Sequence, residues 1–226
     1  MAVEVRGLRA RRGRFQLEVE RLSVNSVTVV LGRNGSGKTT LLDAIAGAIP
    51  AEGSVEACGR EVSRLPPEER GLVYIQSTPV DPPGGPRRFL RWVAARWGRG
   101  EREVEEVAAL LGIRELLDRR GLSTGQKQLV NIAAGLLAGA CGFLMDEPTS
   151  HLDWFNKQLV DDAVRRLGKP VLYVTHDPYE AAYIGDVICV MEEGRLKRCV
   201  ENNPIDLAKP LVERLLQPEN LAAARR

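Results

Sequence analysis

The chain has 226 residues, 32 Lys and Arg against 30 Asp and Glu for a net charge of +2, and four cysteines. That length can bury a substantial core. Interspersed charges give no electrostatic case for nucleic acid as a main partner, and cysteines without C-x-x-C spacing indicate neither a zinc site nor a disulfide framework, so they read as small buried residues of a reducing compartment.

The N-terminus alternates charged and apolar residues and lacks the apolar core of a secretory signal. Val3 to Leu8 and Phe15 to Val19 read as antiparallel strands joined by the basic turn Arg11-Arg12-Gly13-Arg14. The apolar run Val27 to Leu31 then leads into Gly32-Arg33-Asn34-Gly35-Ser36-Gly37-Lys38-Thr39-Thr40 and the helix-like Leu41 to Ala46. This fits the phosphate-binding pattern G-x-x-x-x-G-K-[ST] between a strand and a helix. The glycines clear side chains from backbone N–H donors that converge on a polyphosphate. Lys38 reaches its outer phosphates, and the Thr39 hydroxyl is placed to ligate Mg²⁺.

Gly53 to Cys58 and Gly71 to Gln76 are short strand candidates, the second closed by the polar Gln76. Thr78 to Pro86 is too rich in Pro and Gly for regular structure and marks a lobe boundary. Beyond it Arg87 to Trp97, Glu101 to Leu111 and Ile113 to Asp118 have helical spacing. The arginines of the first part form either a solvated face or a contact for an acidic partner or lipid head groups. Ser123 and Gln126 form an S-x-x-Q capping box ahead of an apolar helix, and Ser123 with Gly125 also presents a second anion-binding terminus. Two anion sites so far apart in sequence suggest that a second copy completes the pocket. The run from Leu129 to Met145 is shorter than the ~20 apolar residues of a bilayer span and reads as a buried helix followed by a buried strand.

Gly142 to Met145 is an apolar strand that ends in Asp146 and Glu147, and Pro148 stops it there. Both acids therefore stand at the carboxyl edge of a sheet, where α/β folds bind ligands. In P-loop enzymes the first acid partners Mg²⁺ and the second is placed to polarise the attacking water. Val171 to Thr175 delivers His176 to the same edge. A structurally capped histidine is its plain alternative role, and His151 is assigned no chemistry.

With these motifs in place, the chain resembles the nucleotide-binding domain of ABC ATPases along nearly all its length. In family order stand the Walker A loop at Gly32 to Thr39, a Q-loop at Gln76, and the signature Leu122-Ser123-Thr124-Gly125-Gln126. Walker B at Phe143 to Asp146 with Glu147, a D-loop at Ser150 to Asp153 and the switch His176 follow. The resemblance implies an α/β fold with a RecA-like P-loop NTPase lobe, an antiparallel β-subdomain and an inserted helical lobe. Residues 1–76 and 141–226 would form the first lobe with its β-subdomain, and residues 77–140 the helical lobe. It implies ATP and Mg²⁺ as ligands, with Glu147, His176 and Gln76 as catalytic residues. Residues 32–40 and Phe15 would bind nucleotide, joined in trans by Ser123, Gly125 and Gln126, while Thr39, Gln76 and Asp146 arrange the metal. Two subunits, identical or similar, would close head-to-tail on ATP. An integral membrane permease would hold them peripherally at the inner, cytoplasmic face of the membrane.

The sequence departs from the family pattern in places. Ala10 to Phe15 offers Phe15 and arginines but no Tyr to stack on adenine, so Phe15 or Arg12 takes that place. Thr124 replaces the middle Gly of the signature, and Leu129 and Ala134 stand where arginines are common. An importer's ATPase subunit is the leading expectation. A soluble ATPase of iron–sulfur cluster assembly is the alternative, on the likeness of Pro79 to Gly84 and Phe89-Leu90-Arg91. A chromosome or DNA-repair ATPase would need long coiled coils, and no heptads are present.

Overall fold

The computed structural model describes residues 2–202, so the part of the expected first lobe beyond residue 202 lies outside the described residues. Val27–Leu31 (β3), Gly142–Asp146 (β7) and Val171–Thr175 (β8) are almost wholly buried. Near-continuous apolar runs are what parallel strands covered on both faces require. β8 pairs in parallel with β3 on one side and β7 on the other, and Leu72–Ile75 (β6) adds in parallel to β7. Val187–Glu192 (β9) adds in parallel to β3.

Alternate side chains of these strands feed two cores. Val29, Phe143, Met145 and Tyr173 join the cluster that includes the helices Thr124–Leu137 (α4), Trp154–Arg165 (α5) and Pro178–Ile184 (α6). Val30, Leu144, Leu172 and Val174 join the cluster around the helix Lys38–Ala46 (α1). Leu41, Leu42 and Ile45 of α1 are completely buried there, each worth roughly 1.5–3 kcal/mol of apolar burial. At the far end of α1 the buried guanidinium of Arg70 donates to the carbonyls of Ala44 and Ile45. The Ala44 carbonyl also accepts from the Gly47 N–H of the helix cap, so Arg70 adds to the backbone cap at this helix end.

Arg195–Glu201 (β10) returns antiparallel to β9 and meets Phe15–Val24 (β2) in parallel through the single pair Arg195 and Glu18. From there Val3–Arg12 (β1), Ala51–Ala57 (β4) and Arg60–Glu61 (β5) continue antiparallel. Among the described residues the sheet order is β5-β4-β1-β2-β10-β9-β3-β8-β7-β6. Between β6 and β7 the chain leaves the sheet for Pro86–Arg96 (α2), Glu101–Leu110 (α3) and α4.

Three sequence expectations need correction. β1 and β2 run to Arg12 and start at Phe15, so only Gly13 and Arg14 turn between them. The helix expected over Ile113 to Asp118 is a 3₁₀ turn at Arg114–Leu116, because a stretch so short gains too little from helix propagation. The cysteines are paired. Cys58, in the turn after β4, is bonded to Cys141 at the entrance to β7, and Cys189 on β9 is bonded to Cys199 opposite it on β10. Sheet topology brings each pair together, which sequence spacing does not reveal, and the reading as unpaired thiols loses its basis.

The basic helical surface is also less basic than its composition. Arg87 is bonded to Asp118, Glu101 and Glu105, Arg91 to Glu101 and Arg102 to Glu106.

Candidate functional site

The loop from Gly32 to Gly37 leaves β3 and turns directly into α1. The first turn of α1 has no side-chain cap, so its N–H groups stay open beside the loop. This is the arrangement that favours an anion. Gly37 sits at φ 108°, and a Cβ there would come within 2.7 Å of the Phe15 ring. The position thus requires glycine on both conformational and steric grounds. The hairpin turn between β9 and β10 closes the other side: the Gly194 N–H donates to the Ser36 carbonyl at 2.8 Å, and Gly194 also lies against Phe15. An open cleft of about 1100 Å³ is bounded by Leu31, residues 32–36, His176, Pro178 and residues 190–193.

Lys38 is buried and curls back over the loop. Its Nζ donates to the carbonyls of Gly32 at 2.8 Å and Arg33 at 3.3 Å, and lies 3.4 Å from Oε1 of Glu147. The other carboxylate oxygen of Glu147 is 3.0 Å from Nδ1 of His176. Glu147 has φ 42°, a left-handed conformation that costs a non-glycine residue roughly 1–3 kcal/mol and tends to occur where function fixes the backbone. Its N–H is tied to the Val174 carbonyl and its own carbonyl to the Ser150 N–H, so the strained residue is held from both sides. Asp146, one residue earlier, is buried. Burial pushes its carboxyl upward, opposed by the Thr39 hydroxyl and Lys38 and reinforced by the charges of Glu147 and Asp43.

Among the described residues no group of three or more His, Cys, Asp or Glu could hold a metal by itself. A Mg²⁺ ion accompanying a polyphosphate needs only one or two protein groups. The buried Asp146 carboxyl beside the Thr39 hydroxyl fits that demand, since a cation there would offset the burial that disfavours its charge.

Gln76 follows β6, next to β7. The segment after it is strapped to α4: Gln128 Nε2 donates to the Gln76 carbonyl at 3.1 Å, Asn131 Nδ2 to the Val80 carbonyl at 2.8 Å, and Lys127 pairs with Asp81 at 2.6 Å. The S-x-x-Q box is formed. Ser123 caps α4 by accepting from the Gln126 N–H, and the Gln126 side chain accepts from the Ser123 N–H. Gly125 lies under the carbonyl of His151, where a Cβ would approach to 2.7 Å. Ser123, Gly125 and Gln126 take no part in the walls of the P-loop cleft. Arg12 is turned to Asp43 at 3.1 Å, and Asp43 also accepts from the Tyr74 hydroxyl.

Sequence reasoning missed the wall formed by residues 190–193 and the contact of Gly194 with the loop. Glu192-Glu193-Gly194 between two strand-like runs is a readable hairpin signal. It does not say what the turn packs against. Sequence reasoning also missed Glu180, whose buried carboxylate lies behind the site.

A family model described as ABC transporter matches residues 19–150, more than half of the chain. The chain belongs to the ABC transporter family. Within that family, the molybdate/tungstate import ATP-binding protein WtpC of Archaeoglobus fulgidus is 36% identical over 196 residues, which is 82% of each protein. The molybdenum import ATP-binding protein ModC of Paramagnetospirillum magneticum is 38% identical over 205 residues, covering 84% of this chain and 56% of the relative. The chain spans a little over half the length of such ModC relatives. A solved ATP-binding subunit of an ABC transporter superposes with a TM-score of 0.79 over 99% of both chains at 22% identity. A second ABC transporter cassette, in its ADP conformation, gives 0.74 over 98% of both, also at 22% identity. At that identity the likeness speaks to the fold, an α/β P-loop architecture. No helix among the described residues is long and apolar enough to cross a membrane.

Proposed function

We propose that this chain is the ATP-binding and ATP-hydrolysing subunit of a membrane importer. The observation that carries the reading is the Glu147 carboxylate at the mouth of the P-loop, with Lys38 at 3.4 Å on one oxygen and His176 at 3.0 Å on the other. A carboxylate fixed there is placed to accept a proton from water aimed at a terminal phosphate. Lys38 and the backbone N–H groups of residues 32–40 hold the phosphates. His176 fixes Glu147 and contacts the terminal phosphate, and Phe15 supplies an apolar wall for the base. Thr39, Asp146 and Gln76 hold Mg²⁺, which when bound neutralises phosphate charge.

Two subunits close head-to-tail, so that Ser123, Gly125 and Gln126 of one meet the nucleotide of the other. This gives a role to a capped helix terminus that stands apart from its own P-loop cleft. Residues 77–140 act as the helical lobe that carries the signature, and the strapped segment after Gln76 joins it to the sheet. The permease partner holds the assembly at the cytoplasmic face. The two relatives are named for molybdate/tungstate import and for molybdenum import, which supports import over export and a transporter over an iron–sulfur assembly ATPase, and we infer an oxyanion as the solute class.

The test is to express the tagged chain, separate membranes from cytosol, crosslink gently and identify what copurifies. Recovery with an integral membrane protein is expected. Recovery only in the cytosol with soluble assembly proteins would overturn the transporter reading.

A further inference from the structure

Behind the cleft, one carboxylate serves the two loops that carry Glu147 and His176. Glu180, on α6 and 4% exposed, accepts through one oxygen from the hydroxyl of Thr149 and from the Tyr173 hydroxyl at 2.8 Å; its other oxygen accepts from the hydroxyl of Thr175. Lys157 of α5 stands 3.3 Å from the first oxygen. Thr149 lies two residues after Glu147, and Thr175 lies one residue before His176. The pair that meets at 3.0 Å across the ends of β7 and β8 is therefore tied, on both backbones, to a single buried anchor.

We propose that Glu180 is a positioning residue for hydrolysis, its carboxylate holding Thr149 and Thr175 together so that Glu147 and His176 stay in contact. The inference rests on the hydrolytic reading above. Glu180 is well suited to the task because it is an acceptor only, and both hydroxyls can donate to it at once. In a buried network, such bonds fix geometry more firmly than they would in water. Asp161 accompanies it: burial first, and then the charge of Glu180, pushes Asp161 up to about 8, with Lys157 opposing.

The chain has two histidines, so the imidazole nitrogens can be observed separately by ¹⁵N NMR of histidine-labelled protein, with His176→Ala assigning the signals. Glu147→Ala, which leaves no acceptor opposite the ring, reports how the His176 resonance looks when the contact is lost. Glu180→Ala is expected to move the His176 resonance in that same direction while leaving His151 in place. Thr149→Val, which removes one arm at nearly constant volume, is expected to give a smaller shift of the same sign, and it serves if Glu180→Ala fails to fold. In turnover, Glu180→Ala is expected to lower kcat at least about tenfold with ATP affinity unchanged. In a His176→Ala background it should cost nothing further. A His176 resonance unmoved in Glu180→Ala and Thr149→Val, or losses that simply add to those of His176→Ala, would overturn the proposal. If the wild-type protein hydrolyses no ATP, the functional reading fails, and the resonances still decide whether Glu180 sets the contact.

Discussion

Gln128, fully buried on α4, donates its Nε2 to the backbone carbonyl of Gln76 at 3.1 Å. It is the innermost of three polar side chains that bind the segment after β6 to the helix capped by Ser123. Among the described residues its own Oε1 has no partner, so replacing it removes an unsatisfied acceptor as well as a bond. Gln128→Leu should therefore alter global stability by no more than about 1 kcal/mol. Thermolysin should nevertheless cut between Gln76 and Pro86 markedly faster in the variant. An unchanged cleavage rate would show that Lys127 and Asn131 hold the segment unaided.

Glu147→Gln keeps the shape of the side chain and removes its basicity. Turnover should fall by about 10² to 10⁴, the range for losing a general base, while nucleotide binding persists and ATP-bound dimers accumulate. Steady-state hydrolysis together with size-exclusion chromatography in ATP checks both. Wild-type turnover in the variant would remove Glu147 from that role.

Lys38→Ala removes the only lysine at the loop and also the cation facing Glu147. ATP affinity should fall by at least about tenfold, the loss of one charge-assisted contact to phosphate. Titration with a fluorescent ATP analogue measures it, and unchanged affinity would mean that the phosphates bind elsewhere.

Asp161 gives a stability prediction with a definite sign. Its carboxyl is raised from 3.8 to about 8, by burial first, with the charges of Glu180 and Asp162 adding and Lys157 and the Tyr173 hydroxyl opposing. Between those two values the unfolded chain has lost the proton and the folded chain keeps it, so stability falls as pH rises and the loss is complete above the folded value. One proton sets a limit of about 1.4 kcal/mol per pH unit. Melting temperatures at pH 5 and pH 9 should diverge more in the wild type than in Asp161→Asn, and equal slopes would contradict the buried, protonated state.

The Cys58–Cys141 bond joins residues 83 apart in sequence, tying the turn after β4 to the strand that ends in Asp146. Reduction should destabilise the fold by about 2–4 kcal/mol, the usual range for such a closure. Thermal melts with and without reductant, repeated on Cys58→Ser/Cys141→Ser, measure this. A wild type that melts identically under both conditions would show the thiols to be unpaired.

What could be read from the sequence was whatever nearby residues decide. The α/β class was implied by the family resemblance that the ordered motifs carry, and the cap of α4 followed from Ser123 and Gln126 alone. The loop from Gly32 to Thr40 announced its strand and helix because a glycine-rich turn between such runs has few other uses. Lengths and partnerships were less legible. β1 continues through Arg9 and Arg11 because its outer face is open to water, and polar residues there conceal a strand. Cys58 meets Cys141 only because the fold brings the turn after β4 to the entrance of β7, 83 residues away in sequence. The anchoring of Thr149 and Thr175 by Glu180 spans a loop, a strand and a helix, so no local spacing encodes it. The gathering of Lys38, Glu147 and His176 at one sheet edge was foreseeable from strand ends, but the 3.0 Å approach of the last two was not.

Mechanically, the sheet is two plates on a narrow hinge. β10 and β2 share the single rung Arg195 and Glu18, reinforced by the Glu18 N–H on the Gly194 carbonyl at 2.9 Å and the Arg195 guanidinium on the Glu18 carboxylate at 2.8 Å. Phe15 and the loop at Gly37 sit beside that hinge. The seam should be the first part of the sheet to breathe, with the Glu18 amide exchanging faster than its neighbours on β1. A base seated against Phe15 would close the gap like a wedge, so that slowed exchange at this one amide would report nucleotide occupancy at a place that never touches phosphate.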